Sequence, residues 1–300
     1  MNSQNLVCVH KGICHLGEGP IWNVKQQKLF WTDIIKREIW IYDPVGNSSR
    51  IFWKGNLQVG GFAFTRRGAI VLCSDKGIYL LNINSDGLPN TEPSLLFDIP
   101  LSENEMFNDI TVDPEGRIFA GTVSRPDFTN GTLYCIEKRK NPVVVLNNLY
   151  CSNGMTFSLD EKYFFHTDSN LKRITKYDYD SRTGEISNPG IYFQGTSEIG
   201  SPDGITLDSQ NHMWVAFWGG SCVRRLDTAG KVVAEISLPV KQPSSVMFGG
   251  YDLNELYITS ACENADNIST GYCNDGTFLG GPLYKICPGV TGRAEWLADF

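Results

Sequence analysis

The 300-residue chain contains no C-x-x-C pair, no G-x-S-x-G elbow, no G-x-x-x-x-G-K loop and no H-E-x-x-H segment. These absences exclude the sequence-local forms of a thiol redox pair, a serine-nucleophile turn, a phosphate cradle and a zinc-protease helix. Histidine is scarce, at positions 10, 15, 166 and 212. Excess positive charge is lacking too: 26 Lys and Arg, scattered along the chain, face 33 Asp and Glu for a net charge of −7. No nucleic-acid surface is expected, because phosphate binding needs clustered cations. The longest uncharged stretch, 141–159, holds four asparagines and a glycine, so no membrane span is expected. Residues 1–5 have neither the basic nor the apolar region of a signal peptide, and the expected location is cytoplasmic. In that compartment the nine cysteines read as reduced, mostly buried thiols. Cys262 and Cys273, in a polar loop, are the pair to check.

What is present is a repeat. A polar or small residue, a short apolar strand, a tight turn and a second apolar strand recur as Glu18–Trp22 with Phe30–Asp33, Gly60–Phe64 with Val71–Ser74, and Asn108–Val112 with Phe119–Thr122. Asn153–Phe157 with Phe165–Asp168, Asp203–Leu207 with Val215–Phe217, and Ser245–Phe248 with Tyr257–Ser260 complete the series, at intervals of 42–50 residues. Further strand patterns follow, such as Glu38–Tyr42 and Arg50–Trp53 in the first unit. Six units of several short strands at this period predict an all-β fold, a six-bladed β-propeller with four antiparallel strands per blade, occupying 1–300 as a single domain. Either Asn5–Val9 or Ala294–Leu297 is expected to supply the outermost strand of the last blade.

In a propeller the first strand of each blade lines the central channel. The heads Glu18, Gly60, Asn108, Asn153, Asp203 and Ser245 are therefore expected to ring one mouth. The connections 123–130, 218–221 and 261–280 should lie at that mouth, and only tight turns at the other. Two carboxylates and two amide oxygens converging on one axis would repel and desolvate one another without a cation among them. All-oxygen donors point to a hard divalent ion, Ca, Mg or Mn, with Zn allowed if water completes its shell. No histidine heads a first strand, which argues against a histidine-rich zinc site. Phe107, Phe128, Trp218 and Phe278 are expected near this mouth, and Trp22, Trp31, Trp40 and Trp214 in the core.

The segments Gly17–Trp22, Phe107–Asp109 with Asp113–Arg117, Ser152–Gly154 with Asp168 and Ser169, Pro202–Gly204 with Met213–Ala216, and Phe248–Gly250 with Leu256–Ser260 resemble the regucalcin, gluconolactonase and luciferin-regenerating-enzyme family. The resemblance covers nearly the whole chain in order. It implies a propeller that holds one divalent cation (Ca, Zn, Mg, Mn or Fe) through Glu18, Asn153 and Asp203 in its central channel. It also implies hydrolysis of a small sugar lactone. On that reading Asp203 is the candidate general base and Asn108 faces the substrate. The chain departs from the family in carrying Met106 where sugar lactonases usually place an arginine. Glu105 and Arg125 are the candidates to restore polar contacts, Arg125 toward an anionic substituent. A broader esterase or organophosphate hydrolase on the same cation, or a non-catalytic cation- or ligand-binding propeller, stays open. The expected partner is a small sugar lactone, and the expected assembly a monomer or weak dimer.

Overall fold

The computed structural model describes residues 6–90, 92–125 and 127–300. Asn5, at one end of an expected closing strand, and Pro126, in an expected mouth loop, lie outside them. The first strand, β1 (Val7–His10), belongs to the last sheet in space. Blade 1 is β2 (Gly17–Asn23), β3 (Lys28–Asp33), β4 (Glu38–Asp43) and β5 (Ser48–Lys54); blade 2 is β6 (Val59–Phe64), β7 (Ile70–Ser74), β8 (Gly77–Leu81) and β9 (Ser94–Phe97). Blade 3 is β10 (Glu105–Val112), β11 (Ile118–Ser124), β12 (Gly131–Ile136) and β13 (Val143–Leu149), and blade 4 is β14 (Ser152–Phe157), β15 (Tyr163–Asp168), β16 (Arg173–Asp180) and β17 (Glu185–Gln194). Blade 5 is β18 (Ser201–Leu207), β19 (Met213–Trp218), β20 (Cys222–Leu226) and β21 (Val232–Ser237). Blade 6 is β22 (Pro243–Gly249), β23 (Glu255–Ser260) and β24 (Leu283–Ile286), completed by β1. All pairings within blades are antiparallel, and the inner strands touch in the closed order β2, β6, β10, β14, β18, β22 and back to β2. This is the expected six-bladed propeller. Among the described residues there is no helix, and so none able to cross a membrane.

The second strands are almost continuously apolar because both of their faces are covered. Phe30 faces blade 2, whereas Leu29 and Trp31 pack with Met247 and Tyr257 of blade 6. The same alternation gives one apolar cluster at each of the six blade interfaces. Trp31 and Trp214 are fully buried at two of them. Each such side chain contributes on the order of 1.5–3 kcal/mol by leaving water. Phe107 goes to the interface of blades 2 and 3 rather than to the mouth, since its neighbour Asn108 takes the axial direction.

Closure uses the N-terminal option. β1 pairs antiparallel with β24, placing Val7 opposite Lys285, and His10 packs on Trp31 and Trp40 of blade 1. Residues 294–297 are not a blade strand. The C-terminal segment instead crosses the face opposite the ring of head residues. Asp208 bridges Gly292, Arg293 Nη2 donates to Thr156 Oγ1 (3.3 Å), Asp299 N donates to Gly116 O (2.9 Å) and Ala298 N donates to Phe64 O (2.9 Å). One short strap thereby ties blades 5, 4, 3 and 2 together. All nine cysteines are free thiols; Cys262 is buried and donates to Cys14 O (3.3 Å) rather than joining Cys273.

Inner strands approach too closely for side chains between them. A Cβ at Gly204 would lie 2.0 Å from Ser245 Oγ and 2.6 Å from its Cα. Gly204→Ala is therefore expected to destabilise by about 1–3 kcal/mol through overpacking. Gly190→Ala, where nothing lies within 4 Å, should stay within about 0.5 kcal/mol of the parent. Urea unfolding of the two variants side by side measures the difference.

Candidate metal centre and active site

The four inner strands headed by Glu18, Asn108, Asn153 and Asp203 lose register at or just after the head: between Glu18 and Ile21 in β2, Phe107 and Ile110 in β10, Asn153 and Met155 in β14, and Pro202 and Ile205 in β18. Such bulges bend a strand and re-aim a side chain. The loops leading into these heads are pinned by aspartates at the ends of second strands. Asp33 accepts from His15 N (2.9 Å) and Leu16 N (3.2 Å), and Asp168 accepts from Tyr150 N (2.9 Å) and Cys151 N (3.2 Å). Blades 1, 3, 4 and 5 thus contribute Glu18, Asn108, Asn153 and Asp203.

The two amides are locked in orientation. Asn153 Nδ2 donates to Ser169 Oγ (2.9 Å), and that hydroxyl donates on to Pro202 O (2.7 Å) beside Asp203. Asn153 Oδ1 accepts from Asn108 Nδ2 (2.7 Å), which also donates to Ser152 O (2.9 Å). His166 shares a 2.8 Å hydrogen bond with Ser152 Oγ, and burial lowers its pKa to about 4, so the ring is neutral. From sequence Ser169 entered only as part of the Asp168 and Ser169 pair and was given no role. Its only signal was its place after Asp168.

The carboxylates are poorly satisfied. Glu18 accepts from Gly19 N (3.2 Å), whereas Asp203 is 4% exposed and its buried Oδ1 has no hydrogen-bond partner. Burial pushes Glu18 up to about 8, with the Asp109 carboxylate adding to the rise and the Gly19 N–H and Arg125 opposing it. Glu18 keeps intermediate exposure, so its surroundings are less dry than those of Asp203. Burial first, then Glu18 and Asp109, hold Asp203 well above the usual carboxylate range. Asp109 was also missed from sequence. It follows Asn108 in the bulged part of β10, accepts from Ile110 N (2.8 Å), and is raised to about 7, chiefly by burial. Among the described residues no three His, Cys, Asp or Glu side chains cluster as a metal site. The oxygen set gathered here has two carboxylates and amide oxygens.

The remaining candidates lie above this level. Met106 is 8% exposed within an apolar collar of Leu16, Ile34, Val123, Cys151 and Ala261, against which Phe128 and Trp218 pack. Both oxygens of Glu105 are engaged, Oε1 by Thr122 Oγ1 (2.7 Å) and Oε2 by Ser102 N and Oγ (both 3.2 Å). Arg125, on the β11–β12 connection of blade 3, forms an ion pair with Glu263 on the β23–β24 connection of blade 6. Its guanidinium lies 6.0 Å from the Phe128 ring centroid, and its Nε is buried without a partner. Blades 3 and 6 are opposite in the ring, so this pair spans the mouth. Phe278 stacks on Tyr272 (4.7 Å) and packs toward the interface of blades 5 and 6.

Residues 16–262 match the family described as SMP-30/Gluconolactonase/LRE-like region. The chain is 31% identical over 287 residues to pentonolactonase XacC of Haloferax volcanii, covering 95% of each chain. It is 33% identical over 265 residues to 6-deoxy-6-sulfogluconolactonase of Pseudomonas putida, covering 87% of this chain and 89% of that one. The structure of a luciferin-regenerating enzyme superimposes with a TM-score of 0.87 at 28% identity, over 96% of this chain and 97% of that one. Breadth of match and agreement of fold together place the chain in the SMP-30/gluconolactonase/LRE-like family.

Proposed function

We propose that the protein is a metal-dependent hydrolase that opens a small sugar-acid lactone to its aldonic acid. The observation that carries this reading is the buried, unpartnered Oδ1 of Asp203 beside Glu18. An acceptor left without a donor in a dry channel costs about 1–3 kcal/mol or more when charged, and a divalent cation held among these oxygens would remove that cost. Glu18, Asn153 and Asp203 would hold it, and the fit is good: two anionic donors and an amide oxygen fixed by Ser169. When bound, the cation supplies Lewis-acid polarisation of the lactone carbonyl.

The side chains do the rest. Asp203 takes the proton of the attacking water and returns it to the ring oxygen as the acyl C–O bond breaks, so one water is consumed and one hydroxy acid is formed. Asn108 has its Nδ2 occupied and offers its carbonyl oxygen to a substrate hydroxyl. Met106 and its collar would exclude water from the mouth, and Arg125 would meet the distal part of the substrate. The names of the pentonolactonase and sulfogluconolactonase relatives support the lactone class.

Turnover with and without metal, turnover of two variants, and unfolding against pH test this. Protein stripped of metal and resupplied with Ca, Mg, Mn, Zn or Fe ions in turn should release protons from aldonolactones only when a cation is restored. Asp203→Asn should lower kcat by about 10²–10⁴, and unchanged turnover would remove Asp203 as the base. Arg125→Ala should raise KM more than it lowers kcat; an unaltered KM for every substrate turned over would exclude Arg125 from binding. The third measurement is thermal unfolding against pH. Glu18 has its folded pKa raised from 4.5 to about 8. In chelator its contribution is complete below pH 4.5 and lost as pH rises through about 8. Added cation competes with those protons, so the stabilisation it confers should grow over the same window. A cation effect independent of pH would separate Glu18 from the metal site.

A further inference from the structure

On the face opposite the head residues, a cavity of about 1080 Å³ runs from the lower channel outward between blades 1 and 2. This volume lies slightly above the usual range for small-molecule sites, about 300–1,000 Å³. The turn at 24–27 of blade 1 and the loop at 83–87 of blade 2 meet over it: a Cβ on Gly87 would lie 3.9 Å from Gln26 Nε2. Residues 294–297 of the C-terminal strap form a further wall.

The lining is polarised. Ile21, Phe62, Phe64 and Ile83 make an apolar interior, and Trp22, 4% exposed and also on the wall, keeps an indole N–H with no partner. Asp109 and Glu295 stand at the channel end. Lys25, Lys28, Arg50, Arg66 and Arg67 also line the cavity, with Asp86 as an acid among them. Lys28 is paired with Asp43 (2.9 Å), and Arg66 Nη2 donates to Pro114 O (3.2 Å). Arg50 Nη1 reaches only Ile51 O, at 3.5 Å. Such a gathering of cations reverses the sign of a chain whose net charge is −7. The channel end, lined by Asp109 and Glu295, offers no cation to a second negative group, so the complementary ligand has a single anionic head.

We propose that this groove is a second ligand site, one that takes an amphipathic anion: a small molecule with its acidic head at Arg50 and Arg67 and its apolar body against Ile21 and Phe64. The site is independent of the hydrolase reading, and its test reads binding rather than turnover.

Calorimetric titration of the full chain with octanoate, with 1-octanol and inorganic phosphate as body-alone and head-alone controls, decides it. Octanoate should bind about tenfold or more tightly than either control, and Arg50→Gln with Arg67→Gln should weaken it about tenfold or more, the scale of lost charge-assisted hydrogen bonds. Both positions are exposed, so the double variant should fold. Asp203→Asn should leave octanoate binding unchanged. The proposal is overturned by absence of binding at millimolar octanoate, by equal binding of octanol, by indifference to the double variant, or by loss of binding in Asp203→Asn, which would put octanoate at the metal mouth.

Discussion

Crowding of six inner strands around one axis is the constraint on which the rest depends. A Cβ at Gly154 would come within 2.3 Å of Asp203 O, and one at Gly204 within 2.0 Å of Ser245 Oγ. The strands meet with almost nothing between their backbones. Glycine must follow Asn153 and Asp203 for that reason, and the bulge beside it turns each head toward the axis. Packing between blades, carried by the apolar clusters at each interface, holds the strands at this spacing. The site is thus a by-product of ring closure. Its geometry cannot relax without moving a blade.

That rigidity has an electrostatic consequence. Glu18, Asp109 and Asp203 are gathered where water is limited, and each is pushed toward its protonated form. Arg125 is the cation whose charge favours ionisation of both Glu18 and Asp203, and it is shared with Glu263. A solvated surface would let such carboxylates relax apart, whereas strands fixed by neighbours on both sides do not. Without a cation, proton uptake is what relieves their mutual repulsion, and a cation bound among the candidate ligands would displace those protons. Ser169 and Asn108 keep one oxygen of Asn153 in a single orientation, so little is left to order on binding.

The two faces of the ring differ because the chain spends its residues differently on them. Long connections such as 261–280 stand on the head-residue side and bring Glu263 across to Arg125. The other side has tight turns, and the C-terminal strap compensates by tying blades 5, 4, 3 and 2 together. Where turn 24–27 and loop 83–87 leave a gap between blades 1 and 2, the polarised groove remains. Ends of the chain do separate jobs: β1 completes a sheet through backbone pairing, and the strap crosses several sheets through isolated contacts.

The repeat, the strand pattern and the head residues Glu18, Asn108, Asn153 and Asp203 were legible in the sequence because they are local: each follows from alternation and turn chemistry within a few residues. The expected mouth loops followed from strand order alone. Phe107 was misplaced because which way a residue faces beside a bulge depends on the neighbouring blade. Closure by β1 rather than by residues 294–297 was undecided for a similar reason, since both segments have strand character and only the partner edge selects between them. The sequence by itself determined the propeller and which polar side chains head its inner strands. The tertiary structure alone decided that Asp203 Oδ1 is unpartnered, that Asn108 and Ser169 orient Asn153, and that Arg125 meets Glu263 138 residues away. Those facts depend on distances between blades, which are fixed only when the ring closes.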